Sequence, residues 1–214
     1  MFGTEALKYI LDNYEFKTVL DIGCGSGEQA KVFKDNKKEV TELDTGDSIY
    51  AKNRSEGYIQ ANYLNYKFDK KFDAIWASHV LEHQKNVNQF LRKVNEDLKE
   101  NGILAITVPP AKKYIVGGHL TLWNAGLVLY NLVVAGMDCR EAKIKKYDYN
   151  ISVMIKKKSI KLPKLTNDHG DLNRIIQFFP KELVHKNKAE QDIMEGFNGD
   201  IKQLNWNKEG IIYG

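Results

Sequence analysis

Thr18-Val19-Leu20-Asp21-Ile22-Gly23-Cys24-Gly25-Ser26-Gly27-Glu28 runs from a β-branched and aliphatic segment, through an acid, into three glycines on alternate positions. Helix-forming residues follow. That order predicts a buried strand, a tight turn and a helix N-terminus. Glycines allow positive φ and let a ligand lie close to the main chain. The first helical turn offers unpaired N–H groups to a polar or anionic group. A nucleotide-like ligand is the first expectation.

A dinucleotide fingerprint, G-x-G-x-x-G, needs its third glycine at position 28. Glu28 stands there, and a carboxylate beside the helix start repels a pyrophosphate. NAD and FAD are therefore disfavoured. The turn suits a phosphate-free ligand with a cationic centre, such as S-adenosylmethionine.

Outward from this turn, residues 5–13 place Ala6, Leu7, Ile10 and Leu11 on one helical face. Val40-Thr41-Glu42-Leu43-Asp44 reads as a second strand with an acid at its tip. A short third strand falls at 58–60. Residues 72–77 are almost continuously apolar, as a central parallel strand should be. A helix over 86–98 buries Val87, Phe90, Leu91, Val94 and Leu98, and Asn101-Gly102 leads into a fifth strand over 103–108. Pro109-Pro110 opens a loop through Gly117-Gly118-His119, followed by a helix over 124–135 with Gly136 as its C-cap. Residues 139–147 and 149–155 read as two strands around a turn at Asp148. Strand and helix alternate, which predicts an α/β, doubly wound sheet.

Beyond Lys158 the pattern changes to loop residues, a short helix from Asp171 to Phe178, and a polar tail over 181–214. The expected division is a main domain over 1–158 and a C-terminal helical and loop appendage over 159–214. The appendage is expected to pack on the core or on a second subunit, as in a homodimer.

In four places the chain resembles the class I S-adenosylmethionine-dependent methyltransferases. These are the glycine turn, the acid at Asp44, the stretch Phe72-Asp73-Ala74-Ile75-Trp76-Ala77-Ser78-His79-Val80-Leu81-Glu82-His83, and the stretch Leu98-Lys99-Glu100-Asn101-Gly102-Ile103-Leu104-Ala105-Ile106-Thr107-Val108-Pro109. They come in the family's order across roughly Val19 to Lys156. The resemblance implies a Rossmann-like, mostly parallel seven-stranded sheet closed by an antiparallel hairpin, and S-adenosyl-L-methionine as cofactor.

It also implies roles. Asp21 anchors the turn and the amino end of the cofactor's methionine portion, Gly23 and Gly25 expose backbone to the ligand, and Gly27 lets the helix pack on the sheet. Asp44 accepts from the ribose hydroxyls. Many relatives carry a Gly-Asp pair that contacts the adenine amino group; Ala61-Asn62 stands there, so Asn62 offers an amide oxygen instead of a carboxylate. Tyr63 either stacks near the base or is a half-buried loop aromatic. Ser78 and His79 follow the fourth strand, at the methionine end and the methyl-transfer channel. Histidine titrates nearest neutral pH, so His119, His79 and His83 are the candidate bases for deprotonating an acceptor hydroxyl.

The chain has 214 residues, 43% of them hydrophobic, with 32 basic and 28 acidic side chains and a net charge of +4. No apolar run approaches the roughly 20 residues that span a bilayer, and the N-terminus does not read as a signal peptide. Two cysteines make neither a disulfide framework nor a metal-ligand cluster. The expectation is a cytoplasmic protein with no membrane partner and no metal. The densest basic run, Lys156-Lys157-Lys158, lacks interleaved aromatics and reads as a solvated strand end, so nucleic acid is disfavoured as a partner.

The expected activity is methyl transfer to a small-molecule acceptor: a hydroxyl of a sugar, sugar nucleotide or glycan precursor. That acceptor follows from similarity to methyltransferases of bacterial surface-glycan pathways. Two alternatives stay open: an RNA or protein methyltransferase, and a non-catalytic cofactor-binding partner subunit.

Overall fold

The computed structural model describes residues 3–51, 54, 56–208 and 210–214. Helix α1 (Thr4–Asn13) precedes β1 (Thr18–Ile22), α2 (Glu28–Asp35), β2 (Glu39–Asp44), β3 (Ile59–Gln60) and β4 (Phe72–Ser78). Then come α3 (Val87–Asp97), β5 (Leu98–Val108), α4 (Ala125–Val134), β6 (Lys143–Tyr147) and β7 (Asn150–Lys156). Helix α5 (Asp171–Ile175), a small hairpin of β8 (His185–Lys186) and β9 (Asp192–Ile193), and finally β10 (Ile201–Leu204) and β11 (Ile211–Tyr213) complete the chain.

The main sheet runs β11-β10-β6-β7-β5-β4-β1-β2-β3. Pairings among β1 to β5 are parallel, and β7 and β6 close the sheet antiparallel. The chain order reverses between β1 and β4, the kind of edge at which open α/β sheets bind ligands. All functional side chains discussed below lie at that carboxyl edge.

Alternation along the strands sorts the core into two layers. Leu20, Ile22, Ile75, Leu104 and Ile106 pack under α3 and α4. Val19, Ala74, Trp76 and Ala105 face Ala6, Leu7 and Ile10 of α1 and Phe33 of α2. Each buried Val, Leu, Ile or Phe among them contributes roughly 1.5–3 kcal/mol.

The tail is where expectation and structure part. Residues 159–214 pack on the core and also extend its sheet: β10 hydrogen-bonds to β6, β11 to β10, and the sheet has nine strands, two more than expected. Ile175, Phe179, Leu183, Met194, Ile201 and Leu204 enter the layer around α4. Trp206 joins the opposite layer, 4.2 Å from the Tyr9 ring. This explains why α4 is apolar on nearly every face: the sheet covers one side, and the backbone around Gly199 and the Phe197 ring press on the other. No helix among the described residues is long and apolar enough to cross a membrane.

Lys157 is a second correction. It does not belong to a solvated basic run. It is 4% exposed, and its Nζ donates to the carbonyls of Asn95 and Leu98 at the end of α3. Burial lowers its pKa.

Candidate functional site

The turn after β1 is built as its glycines require. Gly23 (φ 72°) and Gly27 (φ 80°) are left-handed, which costs other residues about 1–2 kcal/mol each. A Cβ on Gly23 would also lie 2.4 Å from Cγ2 of Val80. The Gly23 and Cys24 amides donate to the Leu43 carbonyl, tying the turn to β2. The Asp44 carboxylate then accepts from Gly25 N–H (3.0 Å) and Gly46 N–H (2.8 Å). One side chain therefore holds both loops, and each oxygen keeps capacity for a further hydrogen bond.

Asp21 is buried beneath the turn, and its Oδ2 accepts no hydrogen bond among the described residues. Burial first, then the neighbouring Glu42 carboxylate, pushes its pKa up to about 8. Glu42 pairs with Asp21 in register across β1 and β2. Burial raises the Glu42 pKa, but hydrogen bonds from Arg54 and Lys34 outweigh this and hold it below its usual value. The ion pairs measure 2.6 Å to Arg54 and 2.5 Å to Lys34. Glu42 is thus occupied, and Asp44 is the acid at the strand tip.

The segment after Asp44 lies on the turn. A Cβ on Gly25 would meet Tyr50 at 3.2 Å, and one on Gly27 would meet the Arg54 guanidinium at 2.6 Å. A ligand stretched along the turn must share this space with Tyr50 and Arg54 or displace them. Neither residue was singled out in the sequence; the glycines marked the floor but not what rests on it.

The other expected cofactor residues divide. Asn62 sits beside β2 because the Ala61 amide donates to the Asp44 carbonyl. Its Oδ1 caps the following turn by accepting from Leu64 N–H at 2.9 Å. Ser78 lies at the end of β4, where Gln29 donates to its Oγ at 3.3 Å. Tyr63 is a correction. It is 5% exposed, packs edge-on to Phe90, and donates its hydroxyl to Asp97 at 2.8 Å. A ring committed to the core cannot stack on a base. Tyr63→Phe is expected to cost about 1 kcal/mol of stability in denaturant titration, with ligand affinity at the turn unchanged.

The three histidines converge. His79 follows β4 in the left-handed region (φ 57°), with its N–H on the Thr107 carbonyl. Its Nδ1 is 3.3 Å from Glu82 Oε1, and its Nε2 is 3.0 Å from Asn150 Oδ1. His83 Nδ1 is 2.7 Å from the Gly118 carbonyl, and its Nε2 is 3.8 Å from Glu82 Oε1. His119 lies edge-on to His83 at 5.2 Å between ring centroids. Burial lowers the His119 pKa, with the nearby Glu82 charge opposing. The loop stays there because the Leu120 and Thr121 amides donate to the Glu82 carbonyl. Glu82 is the residue sequence reasoning missed as a centre of the site. It is wholly buried beside His79 and His83. Beside it, a pocket is lined by Pro109, Lys112, Tyr114, His119, Trp123 and Tyr149.

A glycine turn tied to two strand tips, with a polar cluster across the same sheet edge, is the arrangement of the class I methyltransferase fold. Residues 20–106 match the family described as Methyltransferase domain. Among curated proteins, the chain is 34% identical over 109 residues to the ubiquinone biosynthesis O-methyltransferase of Rickettsia canadensis (strain McKiel), covering 46% of each chain. The match thus spans about half the length of such relatives. Among solved structures, a SAM-dependent methyltransferase from Archaeoglobus fulgidus is similar with a TM-score of 0.59 at 19% identity, covering 72% of this chain and 91% of that one. The Burkholderia thailandensis 1,6-didemethyltoxoflavin-N1-methyltransferase, solved with its substrate and S-adenosylhomocysteine, gives 0.61 at 16% identity, over 74% and 79%. The fold is shared with these proteins.

Proposed function

We propose that the protein is an S-adenosylmethionine-dependent methyltransferase acting on the hydroxyl of a small-molecule acceptor. The observation that carries this reading is the Asp44 carboxylate, bonded to both loops at the sheet's ligand-binding edge and facing the same edge as the histidine cluster. The residues fit the cofactor: the floor of the turn is too tight for a Cβ at Gly23, and buried Asp21 keeps an oxygen for the methionine ammonium. Asp44 would hold the ribose, and Asn62 the adenine edge. Bound there, the cofactor supplies a methyl already activated on sulfonium. The chain aligns the acceptor and excludes water, and a histidine takes up the acceptor's proton. His119 serves best, being at the pocket wall, whereas both ring nitrogens of His79 face Glu82 and Asn150.

The space between the residues lining the pocket is about 10 Å³, room for a single water, so an acceptor must open the loop to enter. Lys112 donates to the Tyr114 hydroxyl and lies 4.0 Å above the Tyr149 ring. It thus sets a cation beside two aromatic faces, suited to a sugar or sugar nucleotide. The test is methyl transfer from labelled cofactor to a panel of sugar nucleotides, phenols and peptides. Transfer to sugars supports the reading, and transfer to peptides alone contradicts it. His119→Ala should preserve cofactor binding and lower turnover.

Proton linkage gives a second check. The Asp21 pKa, near 8 in the fold, lies above its unfolded value of about 3.9. The folded protein therefore keeps a proton that the unfolded chain loses, and stability falls as pH rises from about 4 to 8. A cofactor ammonium beside Asp21 reverses the balance. Binding of S-adenosylhomocysteine near pH 7 should release close to one proton, read by calorimetry in buffers of different ionisation enthalpy. The release should vanish in Asp21→Asn.

A further inference from the structure

We propose that Glu82, His83 and His119 form a binding site for a first-row divalent metal ion at the wall of the acceptor pocket. Their donor atoms all lie within 4.8 Å of one another. Glu82 is 0% exposed, and neither of its side-chain oxygens accepts a hydrogen bond among the described residues. A carboxylate buried in this way is costly unless a positive partner meets it.

The ring orientations sharpen the point. The Gly118 carbonyl can only accept, so His83 Nδ1 carries the proton and the Nε2 lone pair of a neutral ring faces Glu82. Asn150 Oδ1 accepts from Gly3 N–H, which identifies that atom as the oxygen, so His79 Nε2 donates to it. His79 Nδ1 also faces Glu82, at 3.3 Å. The Glu82 carboxylate is buried while the His83 side chain is 47% exposed, so the cluster is open on one side, which His119 closes. A cation balances that arrangement. The bond from His83 Nδ1–H to a carbonyl is the outer-shell contact that fixes a metal-binding imidazole.

Two imidazoles and one carboxylate select Zn²⁺ or Fe²⁺ over Mg²⁺ or Ca²⁺, which prefer all-oxygen sites. At bond lengths near 2.0–2.1 Å, tetrahedral ligand atoms sit about 3.3 Å apart. His119 must therefore move inward, and it follows Gly117-Gly118 with Gly118 in the left-handed region. His79 would position Glu82 without ligating. On the methyl-transfer reading, on which this role rests, an ion held there would take the place of His119 as base by lowering the pKa of an acceptor hydroxyl.

The experiment is titration of chelator-stripped, tag-free protein with Zn²⁺ by calorimetry and with Co²⁺ by visible absorption. One saturable equivalent is expected, with a ligand-field band for Co²⁺. Glu82→Gln and His119→Ala should each weaken binding at least about tenfold, while His169→Ala and His185→Ala leave it unchanged. His119 is on a surface loop, so its variant remains informative if Glu82→Gln fails to fold. No saturable binding up to millimolar ion, or undiminished binding in His119→Ala, overturns the proposal. Titrating S-adenosylhomocysteine into the same preparation separates the two readings: its binding with no metal bound overturns the metal site alone.

Discussion

Asp44→Ala will abolish useful cofactor affinity. The carboxylate does two things at once. It fastens Gly25 and Gly46, one on each loop, and it presents the remaining acceptor capacity at the tip of β2. Hydrogen bonds to a charged group are worth about 1.5–3 kcal/mol each, and the variant loses the ligand's bonds together with the geometry of the turn. A net loss of about 2–4 kcal/mol raises the Kd for S-adenosylhomocysteine by roughly 30- to 700-fold. Calorimetry reads this directly. The Asp44→Asn variant, which keeps one acceptor oxygen, should fall between. If Glu42→Gln lost more affinity than Asp44→Ala, the assignment of the ribose acid would be wrong, because Glu42 is engaged by Lys34 and Arg54 below the turn.

Gly23→Ala is expected to damage both stability and binding. The substituted residue keeps φ near 72° and must place its Cβ 2.4 Å from Val80 Cγ2. Left-handed strain and overpacking together cost about 2–4 kcal/mol, a fall in Tm of roughly 5–12 °C for a chain of this size. Adding Val80→Ala removes the clash but not the strain. The double variant should therefore recover part of the loss, a non-additivity expected only for residues in contact. Equal destabilisation with and without Val80→Ala would show that the packing of this turn is misjudged.

Much of the fold was legible because local signals agreed. Alternating apolar patterns with Gly, Asn and Pro punctuation marked β1 to β7, and the acid-glycine turn marked the ligand edge. Three features escaped for physical reasons. Strands β10 and β11 are four and three residues long, too short for a periodic pattern, and they are specified by pairing with β6 far away in sequence. Tyr63 looked like a loop aromatic because its partners, Phe90 and Asp97, lie on α3. Lys157 hid within a basic run because burial of one lysine depends on carbonyls at the end of a helix. At the site, spacing placed His79 and His83 near each other. Only the fold brings His119 and the buried Glu82 to the same point.

The measurement that bears most directly on the whole account is a crystal structure of the protein grown with S-adenosylhomocysteine. The expected result is the ligand along residues 23–27, its ribose hydroxyls on Asp44, its amino group near Asp21, and Tyr50 and Arg54 moved off the glycines. A ligand bound elsewhere, or a turn left empty with ligand present at saturating concentration, would contradict it.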